Sequence, residues 1–476
     1  MLFNSLPFMV FFPVVTLLYY LTPHRWRWVV LLTASCFFYM WFKPIYILIL
    51  LTTILIDYFA ALMIDRHRDS PRKSRAWLIA SIVSTLTVLF IFKYQGLFRE
   101  TNLILPIGLS FHTFQSLSYV IEVYRGTQKP ERHFGLYSLY VMFYPQLVTG
   151  PIERPSGLLR QLRSDFDDSR GDTAEQIVNQ VKEGMMLILF GLFAKMVVAD
   201  NLAVYVDQIY ADSSQYGSGA IGLGLVFYSF QIYCDFFGYS TIALGCARAM
   251  GFNLMDNFRA PYLSTSIGEF WHRWHISLSS WFRDYLYIPL GGSRVKVSRW
   301  MFNIMVVFLL SGLWHGASWT FVAWGGCHGL LLLMEGLPKK LRRIKAGAKA
   351  DKSIAPKTDE QAKANPLLQG LRILGVFLAV TLLWTIFRAE SFDQFGDIMQ
   401  ALASNWGVEG MPAIDARTII FLLLFITADI LLRNTRFDRW CTKQHAVVQW
   451  TTCFILAFCI IAFASVEAFP FIYFQF

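Results

Sequence analysis

The sequence predicts an all-α integral membrane protein, a polytopic helical bundle, and three observations lead there. Hydrophobic residues make up 55% of the chain and charged residues only 16%, where soluble domains carry about 25% charged residues. Mean hydropathy is +0.45. Apolar runs recur from one end of the 476 residues to the other, so one membrane domain over 1–476 is expected rather than several soluble ones. Aromatic residues, at 17%, suit lipid interfaces and a packed bundle.

The elements follow in order. "MLFNSLPFMVFFPVVTLLYYLTP" is apolar from Leu2 and lacks a basic leader or a small-residue cleavage site, so it reads as a retained first span. Spans over 28–42 and 44–64 come next, then the basic "DRHRDSPRKSR" at 65–75. With three separate spans, the basic residues at 24–27 and 65–75 share one side. The positive-inside rule makes that side cytoplasmic and places the N-terminus outside the cytoplasm. Further spans are expected near 76–92, 103–123, 181–198, 221–236, 302–313, 319–333, 371–387, 419–432 and 450–464. The total is roughly 11–13 membrane segments, re-entrant and half-helices included. "HFGLYSLYVMFYPQLVTGPIERP" is one interrupted segment, broken at Pro145, Gly150, Pro151 and Pro155. Residues 336–366 are basic, then rich in Ala and Lys, without an apolar period. They read as a cytoplasmic loop that is partly disordered.

Composition also excludes. The net charge of +10 does not indicate nucleic acid, because the basic residues cluster between apolar spans. Seven cysteines lie scattered with no CxxC pair, against a disulfide scaffold. His272 and His275 have a spacing that would let both face one ion. No HExxH and no acid at ligand spacing accompany them, so no metal is expected. No GxSxG elbow and no local cysteine-nucleophile signature is present. What remains is general-base chemistry by histidine.

Two polar islands interrupt the apolar background. The first, "EFWHRWHISLSSWFRDYLYIPLGG", spans 269–292. Plotted as one helix, it gathers Trp271, Trp274, Leu278, Trp281, Phe282 and Tyr285 on one arc. Arg273, Ser277, Ser280 and Asp284 lie opposite, His272, Ser279 and Arg283 form a side stripe, and His275 falls at the seam. Such a helix either lies in the interface or lines a cavity where Glu269, Arg273, Arg283 and Asp284 find partners. Pro289, Gly291 and Gly292 end it. The second island is "SGLWHGASWTFVAWGGCHG" at Ser311. His315 there lies between Gly312 and Gly316, and its reference pKa of about 6.5 suits proton transfer. His328, further along, reads as structural.

At these residues the chain resembles the membrane-bound O-acyltransferase family, and within it the bacterial alginate O-acetyltransferase subunit I branch. The resemblance covers nearly the whole chain, and its matching motifs are spread along it in order. They are "LPIGLSFHTFQSLSYVIEVYRG" at Leu105, "FYPQLVTGPIERP" at Phe143, "QIYCDFFGYSTIALGCARAMGFNL" at Gln231, "FWHRWHISLSSWFRDYLYIPLGGSR" at Phe270, "SGLWHGASWTFVAWG" at Ser311 and the terminal "FIYFQF". Cys234 and Phe237 depart from the branch pattern.

The resemblance implies a ring of helices around a central tunnel or funnel. It implies a catalytic His315 in "LWHG" and a second active histidine at His275 in "RWHISLS". It further implies acetyl transfer from a cytoplasmic thioester, acetyl-CoA, to an extracytoplasmic polysaccharide such as alginate. No cofactor would be bound permanently, and an exported or membrane-anchored transferase partner would complete the system in the bacterial inner membrane. Arg283 and Arg294 are candidates for attracting an anionic donor or polymer. Trp271, Trp274, Ser279 and Asp235 are candidate substrate contacts, and Asp235 and Glu269 are also candidates for holding helices or tuning the histidines. The alternatives are O-acetylation of peptidoglycan or another wall glycan, D-alanyl transfer to teichoic acid, and the non-enzymatic roles of transporter or scaffold for an exported transferase.

Overall fold

The computed structural model describes residues 1–95, 106–148, 150–165, 172–345, 365–465 and 469–472. Among the described residues the chain is helical and contains no strand. Among the described residues eight helices are long and apolar enough to cross a membrane: Tyr46–Arg66, Pro71–Lys93, Ala174–Ala211, Ser218–Ala249, Val297–His315, Trp319–Arg342, Pro366–Arg388 and Ala446–Phe463. Each of the other four expected spans also contains a helix: Leu6–Leu21, His24–Met40, Leu109–Arg125 and Ala416–Leu431. These are shorter. The 16 residues of Leu6–Leu21 cover about 24 Å at 1.5 Å per residue, less than an untilted crossing of about 30 Å.

The chain divides into two compact units. The first comprises Met1–Asp200, Tyr233–Asp256 and Thr435–Gln475. Its helices approach closely through glycine. A Cβ at Gly184 would lie 2.6 Å from the Gly245 carbonyl oxygen, and one at Gly191 would lie 2.7 Å from that of Gly238. The pairs recur every seven residues on both helices, so the backbones touch along one seam, as small-residue interfaces do in membranes. The interrupted segment folds as Phe134–Met142 and Tyr144–Leu147, with nearly every side chain buried, the condition for irregular backbone at membrane depth.

This unit also encloses a charge cluster. Lys195 Nζ lies 2.6 Å from Asp200 Oδ1 and 2.6 Å from Asp235 Oδ1 and donates to the Phe469 carbonyl at 3.2 Å. Asp235 Oδ2 accepts from the Ile472 amide at 2.8 Å. All three charged side chains are buried. Each has its counter-charge or a main-chain partner, which buried ions require.

The second unit comprises Asn201–Ile232 and Asn257–Asn434. Its centre is the antiparallel pair Val297–His315 and Trp319–Lys345. A Cβ at Gly312 would collide with the Phe321 carbonyl, and one at Gly325 with that of Phe308, so the two glycines set the helices against each other. Pro366–Arg388 packs beside them through Trp384 and Phe387, which meet Trp324 at 5.6 and 5.0 Å. Residues 336–345, expected as the start of a loop, instead continue the Trp319–Lys345 helix. Lys and Arg exclude a segment from lipid but are good helix formers. Residues 346–364 of that expected loop lie outside the described residues.

Candidate functional site

The first polar island is not one helix. It forms Ile267–Arg273 and Ile276–Phe282, then a wider turn over Arg283–Tyr287. The first helix starts on the Ser266 hydroxyl, which accepts from the Glu269 amide at 3.1 Å. The Glu269 carboxylate accepts from the Thr265 amide and hydroxyl, both at 2.8 Å, and pairs with Arg273 at 2.8 Å. Burial pushes this carboxyl up, but the Thr265 donors and the Arg273 charge outweigh it and hold Glu269 below its ordinary value.

The break comes at Trp274 and His275. Trp274 is extended and His275 adopts the left-handed conformation at φ +43°. Continuation would require the Ile276 and Ser277 amides to bond the carbonyls four residues back. Other partners take those groups. The Ile276 amide donates to the Asn257 carbonyl at 2.9 Å, the Ser277 amide to Asn257 Oδ1 at 3.3 Å, and the Arg273 carbonyl accepts from the Arg259 amide at 3.0 Å. The wheel that put His275 at a helix seam is therefore corrected. His275 sits in a turn and starts the second helix, its carbonyl accepting from the Ser279 amide at 3.0 Å.

That turn brings the two histidines together. The His275 and His315 rings lie 6.5 Å apart at 61°. His275 is fully buried and His315 is nearly so. His315 ends the Val297–His315 helix. Tryptophans and one phenylalanine wall the pair: Trp314 lies 6.0 Å from His275 and 5.0 Å from His315. Trp324 and Phe387 reach His315 at 5.1 and 5.4 Å. Burial pushes the His275 imidazole down to about 3, so it is neutral at neutral pH. A neutral imidazole can accept a proton at one nitrogen and donate at the other.

The other candidates divide. Trp271 is buried and its indole donates to His328 Nδ1 at 3.3 Å. Trp274 packs on Phe270 at 5.5 Å and on Trp384 at 4.9 Å, and Ser279 donates to the Trp274 carbonyl at 3.2 Å. These three belong to the frame around His275. Arg283 is exposed and pairs with its neighbour Asp284 at 2.8 Å. Arg294 and His272 are also exposed. Asp235 belongs to the first unit, where it pairs with Lys195. Sequence reasoning missed Asn257, Trp324, Trp384 and Phe387. The last two sit in a long apolar run, where rings look lipid-facing. Asn257 stands alone between motifs, and no spacing signals it.

Residues 131–349 match the membrane-bound O-acyltransferase family model. The chain is 38% identical over 410 residues to the probable alginate O-acetylase AlgI of Azotobacter vinelandii, covering 83% of this chain and 76% of the relative. The chain belongs to the membrane-bound O-acyltransferase family. Within this family it also matches the peptidoglycan O-acetyltransferase of Helicobacter pylori, 31% identical over 82% of this chain and 75% of the relative. A teichoic acid D-alanyltransferase of Streptococcus thermophilus is 28% identical over 57% of this chain and 66% of the relative. The protein is a multi-pass membrane O-acyltransferase, and His275 and His315 fall on the motifs that carry the family resemblance.

Proposed function

We propose that the protein is a histidine-dependent O-acetyltransferase of the bacterial inner membrane. It takes acetyl from a cytoplasmic thioester, acetyl-CoA, for O-acetylation of an extracytoplasmic polysaccharide of the alginate type. A separate exported or membrane-anchored transferase completes delivery. The basic segments at 24–27 and 65–75 favour a cytoplasmic side for those loops and an extracytoplasmic N-terminus.

One observation carries this reading: His275 and His315, forty residues apart, meet at 6.5 Å among buried tryptophan side chains. In the proposed step His315 accepts the proton of the acceptor hydroxyl as its oxygen attacks the thioester carbonyl carbon. The C–S bond then breaks, the thiolate takes the proton back from the imidazolium, and ester and thiol result. General-base help of this kind is worth about 10²–10⁴-fold. His275 orients His315 or the thioester, or donates to the developing oxyanion, where a water-poor site strengthens the bond.

The test is a His315→Ala strain whose protein reaches the membrane at normal level. Mass spectrometry of its surface glycans should show acetylation reduced to background, and normal acetylation overturns the reading. The same spectra from a deletion strain identify the acyl group and the polymer, separating alginate-type from peptidoglycan or teichoic acid substrates.

A further inference from the structure

Two non-glycine residues among those described have positive φ: Ala260 at +44° and His275 at +43°. Both are essentially inaccessible to solvent. They belong to the two segments of one brace, His275 within it and Ala260 directly after it. Residues 257–259 run beside 273–277 and hold them by the Ile276 amide on the Asn257 carbonyl, the Ser277 amide on Asn257 Oδ1, and the Arg259 amide on the Arg273 carbonyl. The Ser277 hydroxyl adds a short bond to the same Oδ1 at 2.6 Å, and Arg273 Nη1 donates to the Arg259 carbonyl at 3.2 Å.

A turn that needed only this backbone shape would take glycine at no steric cost. Here a β-carbon and an imidazole occupy the left-handed position, which is uncommon and strained for a side-chain-bearing residue. The surroundings must therefore over-determine it. Asn257 is the one side chain whose oxygen accepts both donors of Ser277, the amide and the hydroxyl. It is itself buried, so those bonds are made in a site with little competing water.

We propose that Asn257 is the positioning residue of the histidine pair: its carbonyl and Oδ1 hold the Trp274–Ser277 turn left-handed and so aim the His275 ring at His315. It touches no reacting atom. The proposal rests on the histidine-dependent reading above for its functional meaning, but its structural claim stands separately.

The experiment uses full-length protein in detergent, treated with diethylpyrocarbonate, with carbethoxylation at each histidine mapped by peptide mass spectrometry. In the wild type His275 should react slowly. In Asn257→Ala it should react at least tenfold faster, while His328 labelling stays as in the wild type and the protein still unfolds cooperatively, at a midpoint lowered by the loss of the two Ser277 hydrogen bonds. Asn257→Asp keeps the acceptor oxygen and should restore slow labelling. Donor turnover by Asn257→Ala should show kcat lowered about tenfold or more, with KM within twofold, and Asn257→Asp should recover most of it. Unchanged His275 labelling in Asn257→Ala overturns the proposal. So does a rise shared equally with His328 that Asn257→Asp fails to reverse. If Asn257→Ala yields no folded protein, Ser277→Ala removes only the hydroxyl donor. An increase of about threefold in His275 labelling supports the brace, and no change overturns it. Full activity in His315→Ala overturns the enzymatic reading, leaving the labelling comparison to judge the brace.

Discussion

Both units bury expensive polar groups, but they do so differently. The first holds Lys195 between Asp200 and Asp235, both at 2.6 Å, with the amide of Ile472 and the carbonyl of Phe469 completing the shell. Nothing in its backbone is strained, since no non-glycine residue there has positive φ among the described residues. The second holds His275 and His315 among rings, with one of them in a left-handed turn. In the ionic cluster each charge already has its partner within the unit, as buried ions that stabilise a fold require. A buried histidine held at positive φ beside a second histidine is the arrangement that the proposed reaction requires.

The largest effect that could break this contrast is the exchange of consequences between the two clusters. His315→Ala should lower acyl transfer by about 10²–10⁴-fold while the protein stays folded in the membrane. Lys195→Met should leave two carboxylates facing each other without their cation and cost about 3–5 kcal/mol of stability. Thermal unfolding in detergent, measured beside donor turnover for both variants, checks the pair. If Lys195→Met folds normally but is inactive, the charge cluster is catalytic and the contrast fails.

A finer probe stays within the first unit. At Gly245 a Cβ would already lie 2.6 Å from the Gly184 carbonyl oxygen and 2.8 Å from the Ile188 side chain. Gly245→Leu should force the helices apart and destabilise by about 1–3 kcal/mol. Turnover per folded molecule should not change. A specific loss of turnover at unchanged stability would tie this seam to the chemistry.

Much of this was legible in the sequence, for identifiable reasons. Long apolar runs report helices because only a helix satisfies the backbone in lipid from within a single segment, and each expected span contains one. His315 was visible because an ionisable residue after such a run is conspicuous. The end of the 319–345 helix was not, because charge argues against lipid and not against helix. The break at Trp274 was hidden for a deeper reason. The wheel assumes that each amide bonds four residues back, whereas the Ser277 donors go to Asn257, twenty residues away. Trp384 was lost similarly: its partners Trp274 and Trp324 are set by tertiary packing, and a ring in an apolar run gives no sign of which neighbours it has.

The smallest effect concerns pH and sharpens the contrast from the histidine side. Burial holds His275 neutral in the folded chain down to about pH 3, whereas an unfolded histidine takes its proton near 6.5. Below that pH the unfolded state binds the proton and the folded state does not, so stability rises with pH there. The full stability is present above about 6.5 and is lost as pH falls toward 3, at up to about 1.4 kcal/mol per unit. His275→Asn removes the titration while tolerating the left-handed backbone. Its unfolding midpoint should therefore decline less than that of the wild type between pH 7.5 and 5. Parallel declines for the two proteins would mean that other groups govern acid sensitivity and that the imidazole is not held neutral by its site. A flatter profile for the variant would tie the neutral state of His275, the form able both to accept and to donate, to the same burial that the Trp274–Ser277 turn enforces.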